Sequence, residues 1–503
     1  MTTSKAKTFR NVIYTCLTKG ATLVCIAVSS SVVARNLSPS DYGVVGFAGI
    51  IIGFLIHFGD VGVGSAAIRK PVLDEKSLQT AFTLKLVLST GAFAAAYMIA
   101  PFAHHFFNHP ATANVIRILA FDFLISTIGF TSYVMLTREQ NFRALVGPGV
   151  AGAVARSALA VTLILCGWKY WAVVFADIGA NLVTAIAIHL AKRIRIRFQF
   201  DRTVAREYLR FGTPLLGGGI LIFLVLNMDN FLVGSKMGSA KLGYYALAFT
   251  WGSFMCGLLY DTVNNVLYPA FAAIQDDTAA MRRWYLKTLD LVGFVAVVAN
   301  TALLANVHFF LVTFLGKGTG KWLPAATPLK ILCVYGILRV LTEPIANCIM
   351  ARGRTKMMLH ATALAGAVEL LLILLVLRTG RIELIAVAVL IAYAAQAIIY
   401  FPFLHREFSI SFGDLVVQLW PVVPALVGGY AITTLLPDWF GGTIFTLGCR
   451  GLFTALVVAL IHGLCTRFRC FQEAGGMISQ NLARVRAQGR GLPSMADQAL
   501  RDS

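Results

Sequence analysis

Charged side chains set inside long apolar runs are the residues of this chain best placed to do chemistry. The cations are Lys19, Lys85, Arg117, Arg156, Lys330, Arg339 and Arg450. The acids are Asp60, Asp122, Asp177, Asp229, Asp261, Asp290, Glu343 and Glu369. A charge at mid-helix in a bilayer costs at least about 2.5–3.5 kcal/mol on insertion scales, so each is a functional candidate by default. A desolvated cation can hold an anion, and a desolvated carboxylate favours its neutral form and can carry a proton. Arg156 lies near the middle of its run, too deep to reach either face. Lys85 sits about a turn and a half inside and can snorkel, and Lys19 lies at similar depth. Arg117, Lys330 and Arg450 are near run ends and can reach the interface. Arg339 and Glu343 are four residues apart, so on a helix they share a face and can neutralise each other. Arg117 and Asp122 are five apart, a less comfortable spacing. Any one acid can equally be the structural partner of Arg156 or Lys19. Asp229, between Asn227 and Asn230, and Asp261, with Asn264 and Asn265 nearby, stand out for their amide neighbours.

Two further patterns fail on inspection. Gly316-Lys-Gly-Thr-Gly-Lys321 looks like a phosphate-binding loop, but Leu315 holds the required first glycine position. Trp322 replaces the Ser or Thr that would bind magnesium. His104, His105 and His109 lack a carboxylate or Cys partner, so no metal site is expected. The nine Cys form no CxxC pair and lie mostly in apolar runs, where Cys acts as a small hydrophobe.

The elements that must position these charges follow from composition. Of 503 residues, 58% are apolar and 13% charged, with a mean hydropathy of +0.75. A soluble domain carries about 25% charged residues, so soluble enzyme, disulfide scaffold, collagen and disordered chain are excluded. Apolar runs of spanning length fall near 12–34, 44–68, 79–101, 112–136, 146–167 and 170–191. A second series falls near 212–236, 242–272, 288–315, 324–350, 357–377 and 382–404, followed by 416–437 and 443–465. Such runs without barrel alternation are helices. The first is too long for a signal-peptide core and contains Lys19, so it reads as a retained span. Of the 43 Lys and Arg, an inside N-terminus puts 28 in inside segments and 8 in outside loops. That bias sets orientation. Clusters between spans, rather than one stripe, speak against nucleic acid despite the net charge of +20. The expected organisation is a cytoplasmic N-terminus (1–10), a six-helix lobe (11–191), a basic linker (192–210), a second six-helix lobe (211–405), two further helices (406–466) and a basic tail (467–503). A basic linker beside a membrane contacts anionic lipid head groups.

The halves echo each other at an offset near 200 residues. Leu37-Ser-Pro-Ser-Asp-Tyr-Gly43 follows the first span and Met237-Gly-Ser-Ala-Lys-Leu-Gly243 the seventh. Gly43 maps onto Gly243, Ala48 onto Ala248, and Asp60 falls one residue from Asp261. Halves of six spans share one orientation, the arrangement of parallel-repeat transporters. The run Ala34-Arg-Asn-Leu-Ser-Pro-Ser-Asp-Tyr-Gly43 resembles the signature loop of the polysaccharide transporter family. Asp60-Val-Gly62, Ala67-Ile-Arg69, Arg138-Glu-Gln-Asn-Phe-Arg143, Asn227-Met-Asp-Asn-Phe-Leu-Val-Gly234 and Leu242-Gly-Tyr-Tyr-Ala-Leu-Ala248 extend the match over nearly the whole chain. That family holds Wzx-type flippases, within the superfamily of multidrug exporters and the peptidoglycan-precursor flippase.

The resemblance implies an all-α integral membrane protein of about 14 transmembrane helices: two six-helix lobes related by a parallel repeat, with two extra C-terminal helices. It also implies alternating access by which undecaprenyl-pyrophosphate-linked oligosaccharide crosses the bacterial inner membrane for surface polysaccharide synthesis, with helices 1, 2, 7 and 8 at the cleft. Cleft candidates for cargo are Lys19, Arg156, Asp229, Asn230, Asp261, Asn264 and Arg339. Candidates for a coupling proton or sodium ion are Asp60, Asp122, Asp229 and Asp261. No cofactor and no catalytic residue is expected. Partners are the lipid-linked cargo, anionic lipids, and a polysaccharide polymerase and co-polymerase. The rivals are a small-molecule exporter of the same superfamily and a membrane-embedded polymerase or ligase. The outside loops are too short to order the acceptor sugars an enzyme would need, and the embedded cations favour anionic cargo. The charge asymmetry makes one prediction. Reporter fusions after Lys76, Arg206 and Arg354 should land in the cytoplasm, and fusions after Asn108 and Trp322 outside; 206 and 108 on the same side would break the span count.

Overall fold

The computed structural model describes residues 27–107, 109–254, 270–435 and 444–466, together with 22, 25, 257, 267 and 268. Every regular element among them is a helix. Eleven helices are long and apolar enough to cross a membrane, and a pair bent by 50° makes a twelfth if it is one span. In chain order these are α1 (Pro39–Asp60), α2 (Glu75–Ile99), the bent pair α3 (Thr112–Ile128) and α4 (Phe130–Arg138), α5 (Arg143–Leu165), α6 (Tyr170–Ala191) and α7 (Arg202–Met237). The shorter α8 (Ser239–Gly252) precedes α9 (Thr278–Ala305), α10 (Ala326–Ala351), α11 (Thr355–Leu377), α12 (Ile382–Phe408), α13 (Phe412–Thr434) and α14 (Phe445–Cys465). Residues 27–36 are also helical. The spans expected near 12–34 and 242–272 lie partly outside the described residues. The protein is a multi-pass, all-helical membrane protein.

The signature loop turns out to be a helix start and a joint between the halves. Ser38 accepts from the Asp41 N–H at 3.1 Å while Asp41 Oδ2 accepts from the Ser38 N–H at 3.3 Å, a capping box with Pro39 in the first turn. One turn on, Gly43 abuts α8: a Cβ there would sit 2.0 Å from the Ser239 carbonyl oxygen. The relation is reciprocal, because a Cβ on Gly243 would sit 1.8 Å from the Pro39 carbonyl oxygen. Only glycine permits this backbone approach from both sides. The offset between the two glycines is the offset of the sequence echo.

The longest span, α7, lies against α1 and α11. At its start Gly212 meets the Val61 carbonyl, 1.7 Å from where a Cβ would be. The 192–201 linker is pinned across the end of the N-terminal half. Gln79, 1% exposed, donates to the Arg195 carbonyl at 2.7 Å and accepts from the Arg197 N–H at 2.9 Å. Its amide thus does for an extended segment what a neighbouring strand would do. Arg138 gathers the carbonyls of Ile68, Lys70 and Pro71, closing the short helix Val63–Arg69. Both helices of the C-terminal pair, α13 and α14, pack on α9.

The linker ends at Asp201, the N-cap of α7, which accepts from the Thr203 and Val204 N–H groups at 2.7 and 3.2 Å. Lys76 Nζ lies 2.6 Å from its other oxygen. Lys76 first, then the Val204 and Thr203 N–H groups, hold its carboxyl at about 2, below the unfolded value near 3.9. A depressed carboxylate stabilises the fold above the unfolded value and loses that contribution as pH falls through the folded one. Asp201→Asn should therefore lower the thermal midpoint in detergent at neutral pH, and the gap to the parent should narrow towards about pH 3. An equal gap at both pH values would show that the carboxylate's charge plays no part.

Candidate functional site

Three polar clusters lie inside the bundle. The first is in the N-terminal half, where α5 and α6 pack side by side. Arg156 Nε bonds Asp177 Oδ1, forming an ion pair between the two helices. Asp122 on α3 lies near Asn181, one turn beyond Asp177, and its Oδ1 is buried without a hydrogen bond. Arg156 and Asp177 also lie within electrostatic reach of Tyr42 on α1, whose ring packs against Trp322 of the other half at 5.9 Å. The pair therefore faces the junction of the two halves. Ser157 donates to the Cys25 carbonyl at 3.0 Å, so the first span passes alongside. Arg156 is the cation expected to be too deep to reach water, and it is answered by a carboxylate on the neighbouring helix.

The second cluster is buried in the C-terminal half. Asp229 on α7 is 1% exposed and Glu369 on α11 is 2% exposed. Tyr245 Oη donates to Asp229 Oδ2 at 2.7 Å. The Asn230 N–H and Nδ2 donate to Oδ1 at 2.7 and 3.1 Å. Glu369 lies within electrostatic reach of Asp229. Among the described residues, no Lys or Arg pairs with either acid. Two carboxylates left without a cation in a dry interior cannot both stay ionised; a shared proton or a metal cation would relieve the repulsion. Asn227 is not part of this cluster, since its amide donates to the Phe223 carbonyl one turn back at 2.9 Å.

The third cluster adjoins the second. Arg339 on α10 donates to Tyr335 Oη at 3.2 Å and lies 6.0 Å above the Tyr393 ring. Glu343, one turn on, is within electrostatic reach of Arg339, in keeping with their shared face. Tyr335 is in turn close to Tyr245. A polar chain thus runs from Glu343 through Arg339, Tyr335 and Tyr245 to Asp229. Tyr245 and Glu369 were not among the expected site residues. Tyr245 lay in a recognised motif, and Glu369 was visible as an embedded acid, but nothing in the sequence joined them.

Other embedded charges are engaged differently from expectation. Lys85 does not snorkel. It is 7% exposed, donates to the Gly59 carbonyl at 3.0 Å and stands 4.0 Å from Asp60, where it caps the end of α1. Arg117 lies over Tyr97 at 5.2 Å and reaches Asn114 at 3.4 Å. Arg450 turns into the seam of α9, α13 and α14, donating to Asn306 Oδ1 at 3.3 Å and the Thr433 carbonyl at 3.1 Å. Lys19, Asp261 and Asn264 lie outside the described residues. Among the described residues, no three His, Cys, Asp or Glu side chains come together as a metal site.

Comparison with known proteins adds an independent line. The model of a family described as "Polysaccharide biosynthesis protein" matches residues 32–327. The chain is 25% identical over 345 residues to the lipopolysaccharide biosynthesis protein WzxC of Escherichia coli (strain K12), covering 66% of this chain and 68% of that protein. It is 25% identical over 280 residues to the succinoglycan biosynthesis transport protein ExoT of Rhizobium meliloti (strain 1021), covering 55% of this chain and 56% of that protein. The fold matches that of the lipid II flippase MurJ in an inward closed conformation, with a TM-score of 0.71 at 14% identity over 90% of this chain and 99% of that one.

Proposed function

The chain belongs to the polysaccharide biosynthesis protein family, and on that premise we propose that it is a flippase. Its cargo is an undecaprenyl-pyrophosphate-linked oligosaccharide, carried from the cytoplasmic to the outer leaflet of the inner membrane. Both termini face the cytoplasm, and the halves 11–191 and 211–405 alternate in exposing a cleft between them. The protein acts as a transporter, handing cargo to a polymerase and co-polymerase, and not as an enzyme.

One observation carries this reading: a half-exposed cation within a membrane span, paired with a carboxylate of the neighbouring helix. Pyrophosphate and sugars must cross hydrocarbon that offers no hydrogen bonds, while the lipid tail stays in the bilayer. Arg156 offers the diphosphate a bidentate partner in a low-dielectric setting. Lys19 and Arg339 are the further cations assigned to cargo. Asp177 holds Arg156 in place until an anion arrives. At the cytoplasmic face the linker exposes Phe198 and Phe200 beside Arg193, Arg195 and Arg197, a pattern suited to anionic head groups.

The coupling ion is assigned to Asp229 with Glu369. Asp60 has Lys85 4.0 Å away, and among the described residues Asp122 has no second carboxylate buried beside it as Asp229 has. Asp229 and Glu369 instead form a pair of acids that a proton or sodium ion would complete. Driving transport with an imposed proton or sodium gradient in proteoliposomes should therefore work for the parent chain. Asp229→Asn and Glu369→Gln should abolish the response to the gradient; an unchanged response would remove the pair from coupling.

Deleting the gene should abolish surface polysaccharide while lipid-linked repeat units accumulate on the cytoplasmic side. In the deletion strain Arg156→Ala should fail to restore export at normal membrane abundance, and Arg156→Lys should restore part of it, since charge survives without the planar fork. Restoration by Arg156→Ala combined with Asp177→Asn would show that Arg156 only neutralises Asp177. Single repeat units already facing outside would point to a polymerase, and intact polysaccharide with lost drug resistance to a small-molecule exporter.

A further inference from the structure

The segment Gly316–Lys321, which fails as a phosphate loop, has a different use. It connects α9 to α10 at the end of the bundle opposite the linker, where it meets the end of the 27–36 helix. Arg35 donates from Nε to the Phe314 carbonyl at 2.9 Å and from Nη2 to the Thr313 carbonyl at 3.1 Å. Ser31 Oγ donates to the same Phe314 oxygen at 2.8 Å. In return, Lys321 Nζ donates to the carbonyls of Arg35 and Leu37 at 2.8 and 2.9 Å. Trp322 Nε1 donates to the Ala34 carbonyl at 3.1 Å. Each helical segment ends in carbonyls that no turn of its own can satisfy, and each receives a cation from the other half. The exchange is mutual.

Beside it stands the α1–α8 joint, with Ser40 Oγ 2.6 Å from Ser239 Oγ and the Gly43 and Gly243 backbones in contact. Trp322, fully buried, fills the space between Tyr42 of one half and Tyr244 of the other, with ring centroids 5.9 and 6.1 Å away. We propose that the α9–α10 connection is a latch: Arg35, Lys321 and Trp322 hold the outward end shut, and their release opens it. This rests on the transporter reading above and adds to it a segment outside the four cleft helices.

The chemistry suits a joint that must part. Arg35 and Lys321 have carbonyl acceptors across the joint, so separation strands no buried carboxylate. Every cation and carbonyl freed there can be taken up by water at the membrane surface. A cross-half ion pair sealed in the dry interior would have no such substitute. The small residues at positions 40, 43, 239 and 243 give contact through backbone and short hydroxyls, with no long side chains to disentangle.

The test uses the full chain in native membranes with two readouts. Ser40→Cys combined with Ser239→Cys, oxidised and verified by peptide mass spectrometry, should block export, and reduction should restore it. Separately, Ala246→Cys places a thiol below the latch, 3.9 Å from where a Cβ on Gly46 would lie. Adding Lys321→Gln or Arg35→Gln should raise its labelling by a membrane-impermeant maleimide from outside several-fold over the latched parent. Export by the cross-linked form equal to the reduced form, or unchanged labelling in both latch variants, would overturn the latch. If labelling rises but neither redox form exports polysaccharide, the latch stands and the flippase reading falls.

Discussion

Hydrocarbon offers no hydrogen bond, so every charge and every backbone group carried into it must be answered from inside the protein. The described interior obeys this closely. Lys85 finds the carbonyl end of α1, Arg156 finds Asp177, and Arg450 finds an amide, a carbonyl and the ring of Phe309 at 4.6 Å. Even the joint between the halves is built this way, with backbone carbonyls receiving the cations. Asp229 and Glu369 are the informative departure. The partners of Asp229 are a phenol and amides, which can solvate a carboxylate but cannot neutralise it. A buried pair of acids with no cation beside it among the described residues leaves room for one positive charge there.

The sequence shows this constraint only as a set of candidates. Span-length apolar runs and the basic asymmetry were readable because they depend on local composition. The helices α1 to α7 and α9 to α14 follow those runs within several residues, except that α7 begins ten residues early and α9 is shifted ten residues towards the N-terminus. The partners were not readable, because they come from other helices. Arg156 and Asp177 meet through the packing of α5 on α6, a contact their spacing of 21 residues does not reveal. Asp229 and Glu369 are 140 residues apart. Arg339 and Glu343 were legible because they share a helical turn, where sequence distance and spatial distance coincide.

Motifs behaved in a similar way. Ser38, Pro39 and Asp41 were read as a family mark, and in the structure they are a capping box whose purpose is local. Gly43 was legible as a repeat position but not as a contact, because its function lies with Ser239 across the joint. The loop Gly316–Lys321 was judged against the chemistry its glycines suggested and dismissed. Its lysine acts instead on carbonyls some 280 residues away in sequence, which no motif match can show.

The repeat itself has copied a frame and not a chemistry. At the offset of 200 residues, Gly43 and Gly243 keep the same close contact, and Ala48 and Ala248 are both fully buried. The same register, only 14 residues earlier, sets Asp229 against Ser29. Ser29 bonds the Cys25 carbonyl of its own helix at 2.8 Å, a local bond open to a hydroxyl in a helix. Tyr245, the donor to Asp229, corresponds to Val45. The position that carries an acid and its phenol in one half is therefore neutral in the other. The N-terminal half instead pairs Arg156 with Asp177. The joint is the same from both sides, while the interiors of the two halves do not match. The half with a cation at the junction is the one proposed to meet an anionic cargo, and the half with the buried acids is the one proposed to take up an ion.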